Sequence, residues 1–285
     1  MAAKTPPETT KAAIETGVKK ARLRWDKALV ASFLAGAYIA LAGLLAVVVS
    51  SGLNREIWGN LPTFITGTVF SLGLVLVVIA GSELLTGNMA LVPMAAMSGR
   101  VPLRSLFANF GIVVAGNILG SLFVAFFLAV QTGVITAEAP LARLETIVHL
   151  KAIEETAWQV FLRGMGANWL VCLAVFMALA AEDVSGKILA IFFPIMGFVA
   201  LGFDHVIANM FFIPAGIFAG LDVTWLDALR NWLWAGLGNL VGAALFVGAA
   251  YWYLYARDPA PERSEPGDMP PERAGGVAAG RDTRA

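Results

Sequence analysis

Charge is scarce in this chain. Only 14% of its 285 residues are Asp, Glu, Lys or Arg, and 58% are hydrophobic. A soluble globular domain carries about a quarter charged residues, so the composition points to an integral membrane protein. Cysteine is nearly absent. Cys172 is the one cysteine, which excludes an intrachain disulfide, and its place in an apolar run fits an inert membrane thiol. The two histidines, His149 and His205, stand far apart in sequence. With them there is no metal-ligand spacing, no activated nucleophile and no dinucleotide-binding glycine pattern, so neither an enzyme nor a cofactor is expected. Formal net charge is zero, and no basic patch interleaves with aromatics, so nucleic acid is not an expected partner. No apolar stretch follows Met1 closely enough for a signal peptide.

What is present is long uncharged runs. Residues 1–27 hold seven Lys/Arg and read as a cytoplasmic segment that fits an amphipathic surface helix from Pro7 onward. A transmembrane domain is expected over residues 28–256, and a disordered cytoplasmic tail rich in Pro, Gly and charge over 257–285. Crossing a bilayer takes about 20 apolar residues. Spans are expected at 28–53, 57–99, 105–137, 164–181, 188–221 and 231–256, with 138–163 as the longest polar connection. Six spans put both termini on one side, and the Lys/Arg distribution makes that side cytoplasmic. Trp58, Trp158, Trp225 and Trp252 fit aromatic belts near span ends.

Two of these spans are interrupted by acids. GSELLTGNMALVP, residues 81–93, and GFDHVIANMFFIP, residues 202–214, share the pattern Gly-x-acid-x4-Asn-Met-x3-Pro at an offset of 121 residues. At nearly the same offset, Gly116-Asn117-x-x-Gly120 matches Gly238-Asn239-x-x-Gly242. The fold class this predicts is all-α: six transmembrane helices as two inverted three-helix repeats, with spans 2 and 5 broken. Inverted repeats place a substrate site near the midplane, between the interrupted helices. Asn88 and Asn209 are expected to cap the second half-helices. Glu83 and Asp204 are expected to accept hydrogen bonds from the exposed amides of the breaks, as supports rather than carriers. His205 has Leu84 as its counterpart, so the repeat itself needs no histidine there. An imidazole at membrane depth can donate a hydrogen bond and exchange a proton. Thr86 can offer a hydroxyl to the same place, and Asn168 an amide. His149 fits a solvated loop.

GSELLTGNM, GNILG, ANWLVCLAVFMA (167–178) and GFDHVIANMFFIPAG (202–216) together resemble the formate/nitrite transporter family, over about residues 28–256. The resemblance implies an aquaporin-like protomer, a homopentamer with one pore per protomer, and passage of small monovalent anions such as formate, nitrite or hydrosulfide, in some members linked to protons. It places the central histidine on His205, the span-four asparagine on Asn168 and the loop threonine on Thr86. It also implies hydrophobic constrictions involving Phe70, Leu74, Leu84, Leu85, Val171 and Phe198. Counting back from Asn168, the family's vestibule lysine falls on Ala152, with Lys151 beside it. The expected function is transport of formate, nitrite or a similar weak-acid anion with a proton, in the inner membrane. Hydrosulfide, lactate or acetate conduction is the alternative. A water or ammonia pore is disfavoured because the breaks lack Asn-Pro-Ala.

Overall fold

The computed structural model describes residues 3–257, and these are helical apart from turns. Among them the only strand-like pairing is a bridge between Ala3 and Ala181. The expected tail beyond Arg257 lies outside the described residues. In chain order the helices are α1 (Pro6–Ala21), α2 (Trp25–Ser50), α3 (Arg55–Trp58), α4 (Leu61–Ala80), α5 (Leu85–Met97), α6 (Leu103–Phe123), α7 (Glu138–His149), α8 (Ala157–Ala180), α9 (Val184–Ala200), α10 (Val206–Phe218), α11 (Trp225–Ala243) and α12 (Ala250–Tyr255). π-helical turns continue α6 over Val124–Val130 and α7 over Leu150–Glu154, and join α11 to α12 over Ala244–Ala249. Five stretches are long and apolar enough to cross a membrane: Trp25–Ser50, Leu61–Ala80, Leu103–Val130, Ala157–Ala180 and Trp225–Tyr255.

The helix pair α9 and α10 covers the interrupted run at 188–221. Each is too short to span alone, at 17 and 13 residues. Residues 57–99 divide differently, because α4 is already 20 residues long before the break that precedes α5. Glycine makes both breaks. Gly81 and Gly202 end the preceding helices at φ +80° and +73°, a left-handed backbone that a side chain strains.

Two expected boundaries are corrected. Residues 138–163 are not a polar connection. They form α7, its π turn and the start of α8. Leu144 and Val148 give α7 a buried face, and Thr156 with Gln159 makes a capping box that starts α8 at Ala157. The last span likewise begins at Trp225 rather than residue 231, because Thr224 and Asp227 form a second capping box. A run of charges hid both starts, since charges at a helix end read as loop.

Small residues set the packing. α6 crosses α2 so closely that a Cβ on Gly120 would lie 2.0 Å from the Phe33 carbonyl oxygen. α11 crosses α8 the same way, with a Cβ on Gly242 2.1 Å from the Met165 oxygen. Such contacts hold membrane helices together where apolar burial gives little drive. α1 lies across α5 and buries Thr9, Thr10, Ala13, Ile14, Gly17 and Val18. α7 packs on α10 in the corresponding place in the second half, where Gly216 meets Val148.

Candidate functional site

Each break leaves backbone amides without helical partners, and one asparagine closes each gap. Asn117 Oδ1 accepts from Leu85 N at 3.0 Å, while its Nδ2 donates to the carbonyls of Glu83 and Ser32 at 2.9 and 2.8 Å. Asn239 does the same in the second half. Its Oδ1 accepts from Val206 N at 2.9 Å, and its Nδ2 donates to Asp204 O and Gly164 O at 2.8 and 2.7 Å. These two residues carry the job expected of Glu83, Asp204, Asn88 and Asn209. The signal for them was the repeated Gly-Asn-x-x-Gly motif.

The expected supports act one step further out. Glu83 binds Lys20 Nζ at 2.9 Å and Asn88 Nδ2 at 2.9 Å. Asp204 binds Lys151 Nζ at 2.7 Å and Asn209 Nδ2 at 2.8 Å. Asn88 reaches on to Asn109, and Asn209 to Asn231. Asn109 and Asn231 then donate to the carbonyls of Lys20 and Lys151. Asn88 and Asn209 sit inside the first turns of α5 and α10, where they cap nothing. The N-cap positions belong to Leu84 and His205.

The lysine question resolves by register. Lys20 and Lys151 are 131 residues apart, whereas the N-caps Arg24 and Thr156 are 132 apart. The π turn at Leu150–Glu154 absorbs the extra residue. Lys151 thereby reaches Asp204, and Ala152 is buried.

Between the breaks lies a small polar cluster. His205 Nδ1 accepts from Ala208 N at 3.2 Å, so the ring caps α10. Its Nε2 lies 2.9 Å from Thr86 Oγ1. With Nδ1 accepting, the proton of a neutral ring sits on Nε2 and is donated to Thr86. That leaves the Thr86 hydroxyl hydrogen as a donor. Asn168 Nδ2 donates to the carbonyls of Thr86 at 3.1 Å and Asn239 at 2.8 Å, and Cys172 Sγ lies 3.2 Å from Thr86 O. Thr86, Asn168 and His205 are thus brought together, all buried. His149 stands apart, more than half exposed and 3.5 Å from Glu154.

Two cavities share no lining residue, and one of them reaches this cluster at His205. The cavity beside α7 is lined by Thr63, Thr66, Arg143, Thr146 and Lys151, together with Phe70, Phe198, Phe212 and His205. Phe70 and Phe198 meet edge to face at 6.1 Å, and Phe198 lies 5.9 Å from the His205 ring. Phe212, stacked on Phe70, was not singled out from the sequence because it lies in an unbroken apolar run. The cavity beside α1 is lined by Lys20, Glu83, Leu74, Leu84 and Leu91 among others. Leu85 and Val171 are buried and line neither cavity. Thr86 lines neither cavity as well. Among the described residues no group of His, Cys, Asp and Glu could hold a metal ion.

Membrane-length helices, two lysine-bearing cavities and a buried polar cluster fit a membrane transport protein. The sequence model of the family described as Formate/nitrite transporter matches residues 7–253. The probable formate transporter of Methanothermobacter thermautotrophicus is 44% identical over 270 residues, covering 90% of this chain and 98% of its own. Among solved structures, an FNT family ion channel superposes with a TM-score of 0.80 at 30% identity, covering 87% of this chain and 98% of that one. A pentameric formate channel with formate bound gives 0.73 at 31% identity, covering 81% and 97%. The chain belongs to the formate/nitrite transporter family.

Proposed function

We propose that this protein carries formate, or a similar small weak-acid anion such as nitrite, across the inner membrane together with a proton. The observation that carries the reading is the buried Thr86–His205 hydrogen bond, whose histidine lines a cavity that also presents Lys151. The protomer is read as six spans in two inverted three-span halves, with an aquaporin-like arrangement and both termini cytoplasmic. The matched hydrogen bonds of Asn117 and Asn239 support the repeat. The solved pentameric formate channel supports a homopentamer with one path per protomer.

The mechanism follows from dielectric cost. Lysine and arginine at the α7-side mouth draw the anion in. Past Phe70, Phe198 and Phe212, a bare charge costs several kcal/mol or more. The same apolar surroundings raise the pKa of a weak acid. Formate takes up a proton there and crosses as neutral formic acid. Thr86, held by His205 and Asn168, offers it a hydrogen bond in place of water. A carboxylate leaves once the α1-side cavity lets the acid ionise again.

Proteoliposomes loaded with formate, nitrite, hydrosulfide, lactate and acetate in turn test this across a pH gradient. Uptake is expected to be electroneutral and to rise as the pH on the source side falls. A full anionic current at every pH refutes proton coupling. His205→Asn is expected to lower flux at least tenfold and to alter its pH dependence. Unchanged flux and pH profile in that variant refute the histidine's role.

A further inference from the structure

The two lysine–carboxylate pairs are matched, but their surroundings are not. On the α1 side, Glu83 has Lys20 and Asn88 as partners. On the α7 side a second acid joins. Glu155 stands one residue before the N-cap of α8, and its carboxyl is buried. Its Oε1 is paired with Arg163. The matching positions in the first half, counted from the N-caps, are Leu23 and Ala31. The second acid and its arginine therefore belong to one face only.

The unpaired atoms are informative. Among the described residues, neither Glu155 Oε2 nor Asp204 Oδ2 receives a hydrogen bond, and both are buried. The two carboxyl groups lie within hydrogen-bonding reach of each other. Two ionised carboxylates in contact repel, and a buried acceptor without a donor is destabilising. One proton between them removes both penalties.

We propose that Glu155 and Asp204 hold a proton between them, forming a proton-binding site behind Lys151, which lines the α7-side cavity, and that its occupancy governs anion access from that face. The charge count gives the direction. Lys151 and Arg163 face the two acids directly. Arg230 reaches only the Glu155 carbonyl, and Asn209 and Asn231 are neutral. With the shared proton in place, the four-residue cluster carries one net positive charge. Without it the cluster is neutral and Glu155 adds a negative charge beside the Lys151 ammonium. Burial, followed by the charge of Asp204 and the hydrogen bond to it, pushes the Glu155 carboxyl up to about 8, against the pull of Lys151 and Arg163. Loss of the proton thus falls in the mildly alkaline range. Among the described residues no second acid is paired with Glu83, and the α1-side pair lacks this response.

The access part of this inference rests on the anion-transport reading above, so two measurements are paired. Infrared titration of the wild-type protein in liposomes is expected to show a protonated-carboxyl band lost near pH 8 and missing in Glu155→Gln. Formate flux is then followed while pH is varied on one side at a time. Between pH 7 and 9 on the α7 face, wild-type flux is expected to fall about fivefold more than that of Glu155→Gln, the effect of one unit charge at a partly solvated mouth. On the α1 face the two proteins are expected to respond alike. Absence of the band at pH 7, or identical profiles on both faces, overturns the proposal. A protein with the titrating band but no formate flux at any pH refutes the transport reading and leaves the proton site standing.

Discussion

Replacing Asn239 by leucine tests whether the breaks are held as described. Leucine is close in volume and removes three side-chain hydrogen bonds at once. Those bonds satisfy Val206 N, Asp204 O and Gly164 O, at 2.9, 2.8 and 2.7 Å. Gly164 lies within α8, so its carbonyl keeps the chance of a helical partner. Val206 N and Asp204 O belong to the break itself and have no such reserve. A buried unpaired backbone group costs about 1–3 kcal/mol, and side-chain hydrogen bonds in membrane bundles average about 0.6 kcal/mol. Two groups lost outright and one weakened give a destabilisation of about 3 kcal/mol. For a chain of this size that lowers a thermal midpoint by about 6–12 °C. The same substitution also frees the His205–Val206 segment, so formate flux is expected to fall with stability. Thermal unfolding in detergent, followed by size-exclusion chromatography, reads the first effect, and liposome flux reads the second. Asn117→Leu is the matched experiment in the other half and is expected to cost a similar amount. A midpoint within about 1 °C of wild type, with native flux, would show that the breaks do not depend on these amides.

Thr86→Val keeps the shape and the carbonyl that Asn168 and Cys172 use, and removes only the hydroxyl. Flux is expected to fall about 10- to 100-fold, the worth of one buried hydrogen bond to the crossing acid and one to the histidine, with little change in thermal midpoint; flux within twofold of wild type refutes the role. Gly120→Val puts a side chain 2.0 Å from the Phe33 carbonyl and 2.7 Å from Ala37 N, both backbone atoms, so folded protein is expected to be lost from detergent extracts. Gly111→Ala is the control on the same helix, because nothing lies within 4 Å of its added Cβ, and recovery equal to wild type is expected there.

The repeat made much of this architecture legible. Acid, asparagine and proline at one spacing in two places marked both breaks, and His205 stood out because Leu84 is its partner in the pattern. The assignments of labour were less visible. Asn88 and Asn209 looked like caps because asparagine is a good cap in general, yet the chain order of a broken helix does not reveal which amide reaches back from a distant helix. Asn117 and Asn239 do that from α6 and α11, and glycines such as Gly36, Gly116 and Gly120, and Gly164, Gly238 and Gly242, let the helices approach closely. Lys151 was off register for a related reason. A π turn adds a residue without adding a turn, and residue counting along an ideal helix cannot see it. α7 was missed because its exposed face carries the charges that mark loops, while its buried face is narrow.

The histidine's role as a helix cap has a consequence for how protons can cross. Nδ1 is committed to the Ala208 amide, and Nε2 holds the ring proton that is donated to Thr86, so both nitrogens of the neutral ring are occupied. A relay needs two open ends, one to receive and one to pass on. This ring offers neither: Nε2 already carries the proton, and Nδ1 can take another only if α10 gives up its cap. A wire of hopping protons through the layer is therefore broken at its centre. On the transport reading proposed above, a proton that crosses is expected to travel as part of its cargo rather than through the ring.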